Sequence, residues 1–200
     1  MSLAKLKKGN NVFVKKFDEN KKLYHDLVEK GQHPKVLWVG CSDSRVVPEF
    51  TVNADAGDLF VIRNIANIIP PAEADENCTS SVLEYAVLHL NIEHIIICGH
   101  TGCGGINALI DGTPKDSKIH DWLKHACPTQ EITKKPDSDS LELVTIKENI
   151  LFQAKNILTF EYIEKKVNQN EINIHKWLYD MHSGKISFFD EIDNNWHQFF

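Results

Sequence analysis

The 200-residue sequence lacks several features that would assign it to other classes of protein. No apolar run approaches the roughly 18 residues that predict a transmembrane helix. The N-terminal segment has lysines but no continuous apolar stretch or cleavage signal, so we expect no secretory leader. A net charge of −6 gives no reason to expect nucleic acid or an anionic membrane as a partner. The glycines form no GxGxxG pattern and no P-loop lysine is present, so the sequence does not predict a phosphate-binding loop.

Closely spaced cysteine pairs are also missing. The five cysteines form no C-x-x-C pair, which argues against a closed structural zinc site. This usage fits a reducing compartment better than a disulfide framework, so we expect the protein to be cytoplasmic. Hydrophobic residues make up 42% of the chain, which is enough for one domain with its own core.

Two short segments carry the chemistry, CSDSR at 41–45 and HTGCGG at 100–105. Each follows a short apolar run rich in β-branched residues, and such runs predict buried strands of a parallel sheet. The carboxyl ends of neighbouring strands meet at the crevice of an open α/β sheet. We therefore expect Cys41, His100 and Cys103 to lie close together.

Two thiolates and an imidazole are good zinc ligands, and three protein ligands leave a fourth position open for water. The sequence thus predicts a catalytic site that holds one Zn²⁺ per chain through Cys41, His100 and Cys103. Asp43 lies close enough to Cys41 to contact either the metal or its bound water. Arg45 is placed to hold Asp43 through a bidentate pair. The alternatives are ordinary buried side chains for the trio and a purely structural ion pair for Asp43 and Arg45.

These motifs resemble those of the β-class carbonic anhydrases, and the similarity covers most of the chain. The matching segments are CSDSRV at 41–46, GDLFVIRNIAN at 57–67, SVLEYAVLHL at 81–90, HIIICGHTGCGG at 94–105 and, more weakly, WLYDMHSG at 177–184. The resemblance implies reversible hydration of carbon dioxide to bicarbonate and a proton, by attack of zinc-bound hydroxide. It also implies a homodimer or homotetramer in which an N-terminal arm wraps a partner.

Asp43 has two possible roles in this chemistry. An ionised carboxylate can only accept hydrogen bonds, so it would take the hydrogen of the hydroxide and direct an oxygen lone pair at carbon dioxide. In some members of the resembled family, the matching Asp instead fills the fourth zinc position. The two roles exclude each other at any instant.

A second, non-catalytic site is implied by one subgroup of the family, which binds bicarbonate with a Trp, an Arg and a Tyr. The matching positions are Trp38, Arg63 and Tyr179. An indole N–H, a guanidinium and a phenol together suit a small oxyanion. Residues 70–80 contain no Gln, which favours this regulated subgroup, whereas Pro70-Pro71 is more typical of the other one. The alternative for Trp38 is simple packing in the core.

Two other functions use the same residues. One is a different zinc hydrolase on this scaffold, acting for example on carbon disulfide. The other is a catalytically silent zinc protein that senses bicarbonate. The presence of both Asp43 and Arg45 argues against the silent protein, because a structural zinc needs neither residue.

The fold predicted from the whole pattern is α/β, with a central, mainly parallel β-sheet flanked by helices and a C-terminal antiparallel strand addition. We expect a single domain over 1–200, divided into an N-terminal helical arm (1–33), a zinc-site core (34–110), a surface loop (111–140) and a C-terminal helix with strands (141–200). The predicted helices cover 10–29, 106–110 and 143–158, with a short helical insert around Trp122. A capping box of Ser80 or Ser81 with Glu84 should open a further helix that runs through Leu90, after a loop at 70–78. The predicted strands cover 36–40 and 59–62, a third reaches Cys98-Gly99, and two final strands cover 172–179 and 185–189.

Overall fold

The computed structural model of this chain describes residues 2–128 and 139–199. The chain divides into two compact units, Met1–His33 and Pro34–Phe200. This boundary coincides with the one predicted for the N-terminal arm. The interpretation of residues 1–200 as a single domain stays a prediction.

The first unit consists of two helices, α1 (Leu3–Glu19) and α2 (Lys21–Lys30). The single helix predicted over 10–29 is therefore wrong, because Asn20 interrupts it with φ −114° and ψ 27°. The Asn20 side chain donates to the Lys16 carbonyl 3.2 Å away, and this local bond competes with helix continuation. The rings of Phe17 and Tyr24 stack across the break with centroids 4.6 Å apart.

The second unit is built on a six-stranded sheet with the order β2-β1-β3-β4-β5-β6. The strands are β1 (Val36–Cys41), β2 (Leu59–Asn64), β3 (His94–His100), β4 (Asn173–Tyr179), β5 (Ile186–Asp190) and β6 (Asn195–Gln198). The first four are mutually parallel, and β5 and β6 are added antiparallel. The predicted fold class is confirmed, but the prediction of two final strands missed β6.

The helices of the second unit are α3 (Pro48–Val52), α4 (Asn77–Glu84), α5 (Gly104–Asp111), α6 (Lys118–Leu123), α7 (Leu141–Asn156) and α8 (Glu161–Asn168). The predicted capping box of α4 is wrong, because Glu76 caps this helix by accepting from the Cys78 and Thr79 backbone N–H groups. Both serines lie inside α4, where their hydroxyls donate to carbonyls of the preceding turn.

The long connection predicted over 111–140 contains α6, which confirms the short helical insert around Trp122. Residues 129–138 of this connection lie outside the described residues. The loop predicted over 70–78 includes a 3₁₀ turn, Ala72–Ala74, and the first residues of α4. No helix in the described ranges 2–128 and 139–199 is both long and apolar enough to cross a membrane.

The central strands β1 and β3 are buried after their first residues, which explains why both are predominantly apolar. Alternate residues such as Leu37 and Ile97 pack into the main core, which also contains Ile146 and Ile150 of α7. The intervening residues, among them Trp38, belong to a smaller cluster with Ile96 and Cys98. Since β1 and β3 are neighbouring parallel strands, their carboxyl ends open at the same edge of the sheet.

Candidate metal centre

Three side chains meet where β1 and β3 end. Cys41 is the last residue of β1, His100 is the last of β3, and Cys103 immediately precedes α5. The two sulfurs are 3.9 Å apart, and one ligand atom from each of the three residues lies within 4.8 Å of the others. Gly102 has a φ of +68°, so a residue without a Cβ makes the turn that brings Cys103 back toward His100. The structure thus brings together the three residues that the sequence predicts.

The imidazole of His100 is oriented for binding a cation. Its Nδ1 lies 2.9 Å from the Thr101 carbonyl oxygen, and because a carbonyl only accepts, Nδ1 must carry the hydrogen. The lone pair is therefore on Nε2, which is buried and has no hydrogen-bond partner among the described residues. A buried nitrogen without a partner is costly, and a metal cation would satisfy it.

The two thiols compete for one proton. A hydrogen bond from Cys103 lowers the pKa of Cys41 to about 4, against the opposing effect of burial. The same bond, together with burial, raises the pKa of the Cys103 thiol. Backbone hydrogen bonding also acts to lower both thiol pKa values, from Asp43 and Ala66 at Cys41 and from Ile106 and Gly105 at Cys103. A divalent cation between the sulfurs would replace the shared proton and leave two thiolates, so these residues fit zinc.

Asp43 stands beside the trio and is held by Arg45. The guanidinium donates to both carboxylate oxygens, from Nε to Oδ1 at 2.9 Å and from Nη2 to Oδ2 at 2.6 Å. Nη2 also donates to the Gly102 carbonyl at 2.8 Å, which ties this pair to the turn before Cys103. The Arg45 bonds hold the pKa of Asp43 well below its usual range, so the carboxylate is ionised at neutral pH. Its Oδ2 lies 4.0 Å from Nε2 of His100.

Of the three residues predicted for a second anion site, Trp38 and Tyr179 lie in one apolar cluster, whereas Arg63 bonds to backbone carbonyls. Trp38 is fully buried, packs edge-to-face on Trp177 with ring centroids 5.6 Å apart, and its Nε1 has no partner among the described residues. Tyr179 packs in the same cluster. Arg63 donates from Nε to the Cys41 carbonyl at 2.8 Å and from Nη2 to the Asp43 carbonyl at 2.6 Å.

Arg63 therefore supports the backbone of the CSDSR segment, a role that was not predicted from the sequence. Its signal is the strand register, because Arg63 is paired with Gly40, the residue before Cys41. The turn that follows β2 was also missed. The Ala66 backbone in this turn helps to lower the pKa of Cys41, and the sequence gives no local sign of that effect.

Comparison with known proteins identifies the family. The family model described as carbonic anhydrase matches residues 36–186. A carbonic anhydrase from Synechocystis sp. is 36% identical over 183 residues, which are 88% of this chain and 66% of that protein. This chain therefore spans slightly less than two thirds of that relative's length.

Solved structures agree with this assignment. The β-carbonic anhydrase CcaA superposes with a TM-score of 0.92 at 33% identity, covering 98% of both chains. A tetrameric β-carbonic anhydrase from Sordaria macrospora gives a TM-score of 0.79 at 28% identity, covering 92% of this chain and 94% of the other. The fold, the matched residues and the Cys-His-Cys group all agree, and the chain belongs to the β-class carbonic anhydrases.

Proposed function

We propose that this protein catalyses the reversible hydration of carbon dioxide to bicarbonate and a proton, with one zinc ion held by Cys41, His100 and Cys103. The observation that carries the proposal is the buried Nε2 of His100, which has no hydrogen-bond partner in the described part of the chain and lies within 4.8 Å of both sulfurs. The ionised carboxylate of Asp43 lies 4.0 Å from that nitrogen.

Zinc held there would lower the pKa of a water molecule that it binds, although two thiolate ligands would leave that water less acidic than neutral imidazoles do. We therefore expect hydration to be faster under mildly alkaline conditions. Asp43, which can only accept, would accept a hydrogen bond from the O–H of the nucleophile and so direct an oxygen lone pair toward carbon dioxide.

Arg45 is a positioning residue in this proposal, because its guanidinium fixes both carboxylate oxygens of Asp43. While Arg45 holds the carboxylate, Asp43 serves the nucleophile. Release of that pair would free Asp43 to bind the metal directly and fill the position that water needs. These two arrangements correspond to an active and an inactive site.

We also propose that bicarbonate binds beside Trp38, Arg63 and Tyr179 and favours the inactive arrangement. Support comes from the Trp38 Nε1–H, a buried donor without an acceptor among the described residues, which an oxyanion would satisfy. Arg63 donates to the carbonyls of Cys41 and Asp43. An anion that attracts this guanidinium would weaken the support of the segment carrying Asp43.

The assembly that we propose is a homodimer or homotetramer. Helix α1 buries none of its residues within the chain, and Leu3, Leu6 and Phe13 are among its exposed apolar side chains. Residues 1–33 contain eight lysines against four acidic residues, whereas the whole chain has a net charge of −6. Both properties suit packing of the arm on a second copy.

We place the protein in the cytoplasm. The exposed thiol of Cys78 is outside the metal centre and forms no disulfide, which suits a reducing compartment.

A stopped-flow assay of carbon dioxide hydration, on protein of measured zinc content, tests the proposed reaction. Asp43→Asn keeps the size of the side chain but presents an amide donor, so the rate should fall about 10²- to 10⁴-fold while zinc is retained. Asp121→Asn is the matched control, because Asp121 pairs with Lys124 on the surface, and its rate should equal that of the wild type.

Other outcomes separate the alternatives. Zinc-loaded wild type that hydrolyses carbon disulfide but does not hydrate carbon dioxide would support the other hydrolase. Failure with both substrates would indicate a silent zinc protein. A normal rate in Asp43→Asn would leave the Asp43–Arg45 pair a structural role only.

A further inference from the structure

The turn that follows β2 adopts an unfavourable backbone conformation beside the metal centre. Ala66 has φ 61° and ψ 28°, and the next residue, Asn67, has φ 47°. Both are almost completely buried. Two consecutive non-glycine residues in the left-handed region are costly, so this turn persists only if its surroundings hold it.

Three buried amides of α7 hold the turn. Asn149 Nδ2 donates to the Ala66 carbonyl at 3.0 Å. Gln153 Oε1 accepts from the Ile69 N–H at 2.8 Å, and Asn156 Nδ2 donates to the Ile69 carbonyl at 3.0 Å. The turn is therefore bonded to α7 at both of its ends.

The amides also bond to one another, from Gln153 Nε2 to Asn149 Oδ1 at 3.0 Å and from Asn156 Nδ2 to Gln153 Oε1 at 3.2 Å. Their spacing along α7 puts them on one face of the helix, as a continuous amide ladder. Polar groups buried in this way cost free energy unless their hydrogen bonds are made, so the ladder and the turn depend on each other.

The turn connects the amide ladder to the sulfurs. The turn lies against Gly105, the second residue after Cys103, where an added Cβ would stand only 3.1 Å from the Ala66 Cβ and 3.3 Å from its nitrogen. The Ala66 backbone is also among the hydrogen-bonding groups that lower the pKa of Cys41. The Gly105 backbone likewise acts to lower the pKa of Cys103.

We propose that the amide ladder of Asn149, Gln153 and Asn156 is a positioning device for the metal centre. It holds the left-handed Ala66 turn so that the Ala66 N–H donates to the Cys41 sulfur. Such a bond fixes the direction of the sulfur lone pairs and takes up part of the thiolate charge. Outer-shell partners of this kind change metal affinity by about 10- to 100-fold. The inference rests on the proposed metal site, and it assigns a role to residues that contact no ligand directly.

The test makes two measurements. Zinc affinity is measured by competition with a chelator, and the energy of the sulfur-to-cobalt charge-transfer band is measured in the Co²⁺-substituted protein. Asn149→Leu keeps the branching of the side chain but removes the donor to Ala66, together with the oxygen that accepts from the Cys127 N–H and from Gln153 Nε2. We expect it to bind zinc about 10- to 100-fold more weakly. Its charge-transfer band should move to lower energy, because a thiolate that loses a hydrogen bond donates electrons more readily.

Thr145→Val is the matched control, because Thr145 is equally buried on α7 and its hydroxyl donates only within that helix, to the Leu141 carbonyl. It should leave both the zinc affinity and the band unchanged, even if it lowers the melting temperature. Asn156→Ala, at the partly accessible end of the ladder, cuts only the bonds to Ile69 and Gln153. This variant should weaken zinc binding and shift the band in the same direction as Asn149→Leu, but by less. It replaces Asn149→Leu in the test if that variant does not fold.

Folded ladder variants with wild-type zinc affinity and an unshifted band would overturn the inference. So would a Thr145→Val variant that loses as much affinity as Asn149→Leu, because the effect would then be general destabilisation. Wild-type protein that binds no zinc at all would overturn the proposed metal site itself. If the wild type and the ladder variants all bind zinc tightly, the inference fails but the proposed metal site does not.

Discussion

Gly99, the residue before His100 in β3, leaves no room for a side chain against α7. A Cβ there would lie 2.8 Å from Ile150 Cδ1, 2.9 Å from Ile150 Cγ1 and 3.1 Å from Ile146 Cγ2. Carbon atoms in favourable contact are about 3.5–4.0 Å apart, so Gly99→Ala forces an overlap with two buried side chains.

The expected cost of Gly99→Ala follows from two opposing effects. Overpacking a core costs about 1–3 kcal/mol, whereas replacing glycine inside a strand recovers about 0.5–1 kcal/mol of backbone entropy. The net loss of unfolding free energy is therefore at most about 2.5 kcal/mol. For a chain of this length, the melting temperature should fall by at most about 10 °C.

A double-mutant cycle identifies the contact responsible. Ile150→Val alone removes the nearest atom, Cδ1, and should cost about 0.5–1.5 kcal/mol. In the double variant the methyl group introduced by Gly99→Ala occupies part of the space that Cδ1 leaves. The combined cost should then be smaller than the sum of the single costs by at least about 0.5 kcal/mol.

The assay is thermal unfolding of the wild type, both single variants and the double variant, at one protein concentration because association shifts the midpoint. Gly9→Ala is the control, since an added Cβ at this α1 position meets nothing within 4 Å, and it should be neutral or stabilising. Additive costs within about 0.3–0.5 kcal/mol would refute the role assigned to Ile150.

Two further predictions concern the metal centre and the second anion site. Cys41→Ser and Cys103→Ser should each abolish binding of the one zinc per chain, as measured by elemental analysis, because serine offers no thiolate; Cys78→Ser should keep full occupancy. If bicarbonate binds at the second site, activity should fall steeply below about pH 8, more steeply than one ionisation allows. Trp38→Phe removes an indole donor that has no acceptor among the described residues, so it should relieve inhibition by bicarbonate and flatten that fall. A wild-type pH profile that fits one ionisation, unchanged in Trp38→Phe, would contradict the regulatory site.

The inner strands could be predicted because parallel strands that are buried on both faces are continuously apolar. The strand β6 could not, since Asn195–Gln198 is short, mostly polar and only half buried at the edge of the sheet. The capping of α4 was missed for a different reason. Glutamate is not among the preferred N-cap residues, and the nearby serines gave the stronger signal.

The residues of the site also differ in whether the sequence around them is enough to predict their position. Cys41, His100 and Cys103 directly follow recognisable strands, so the fold class alone was enough to bring them together. The amides of α7 look from the sequence like an exposed polar face, whereas they are buried and bond to a turn more than 80 positions away. Which face of a helix is buried depends on the elements that pack against it. Hydrophobic periodicity identifies the apolar residues of that face, so it could not show that these three polar residues are buried as well.

The separation of the three metal-binding side chains along the chain has a consequence for folding. His100 and Cys103 come from one short segment, but Cys41 is 62 positions before Cys103 and arrives only when β1 pairs with β3. An unfolded chain therefore offers a cation two local ligands at most, and the complete trio exists only in the native sheet. Binding that is restricted to the native state adds about 4 kcal/mol of stability when free metal is 1,000 times its dissociation constant. The concentration of free zinc would thus contribute to the free energy of unfolding of the sheet, and a chelator would lower that free energy.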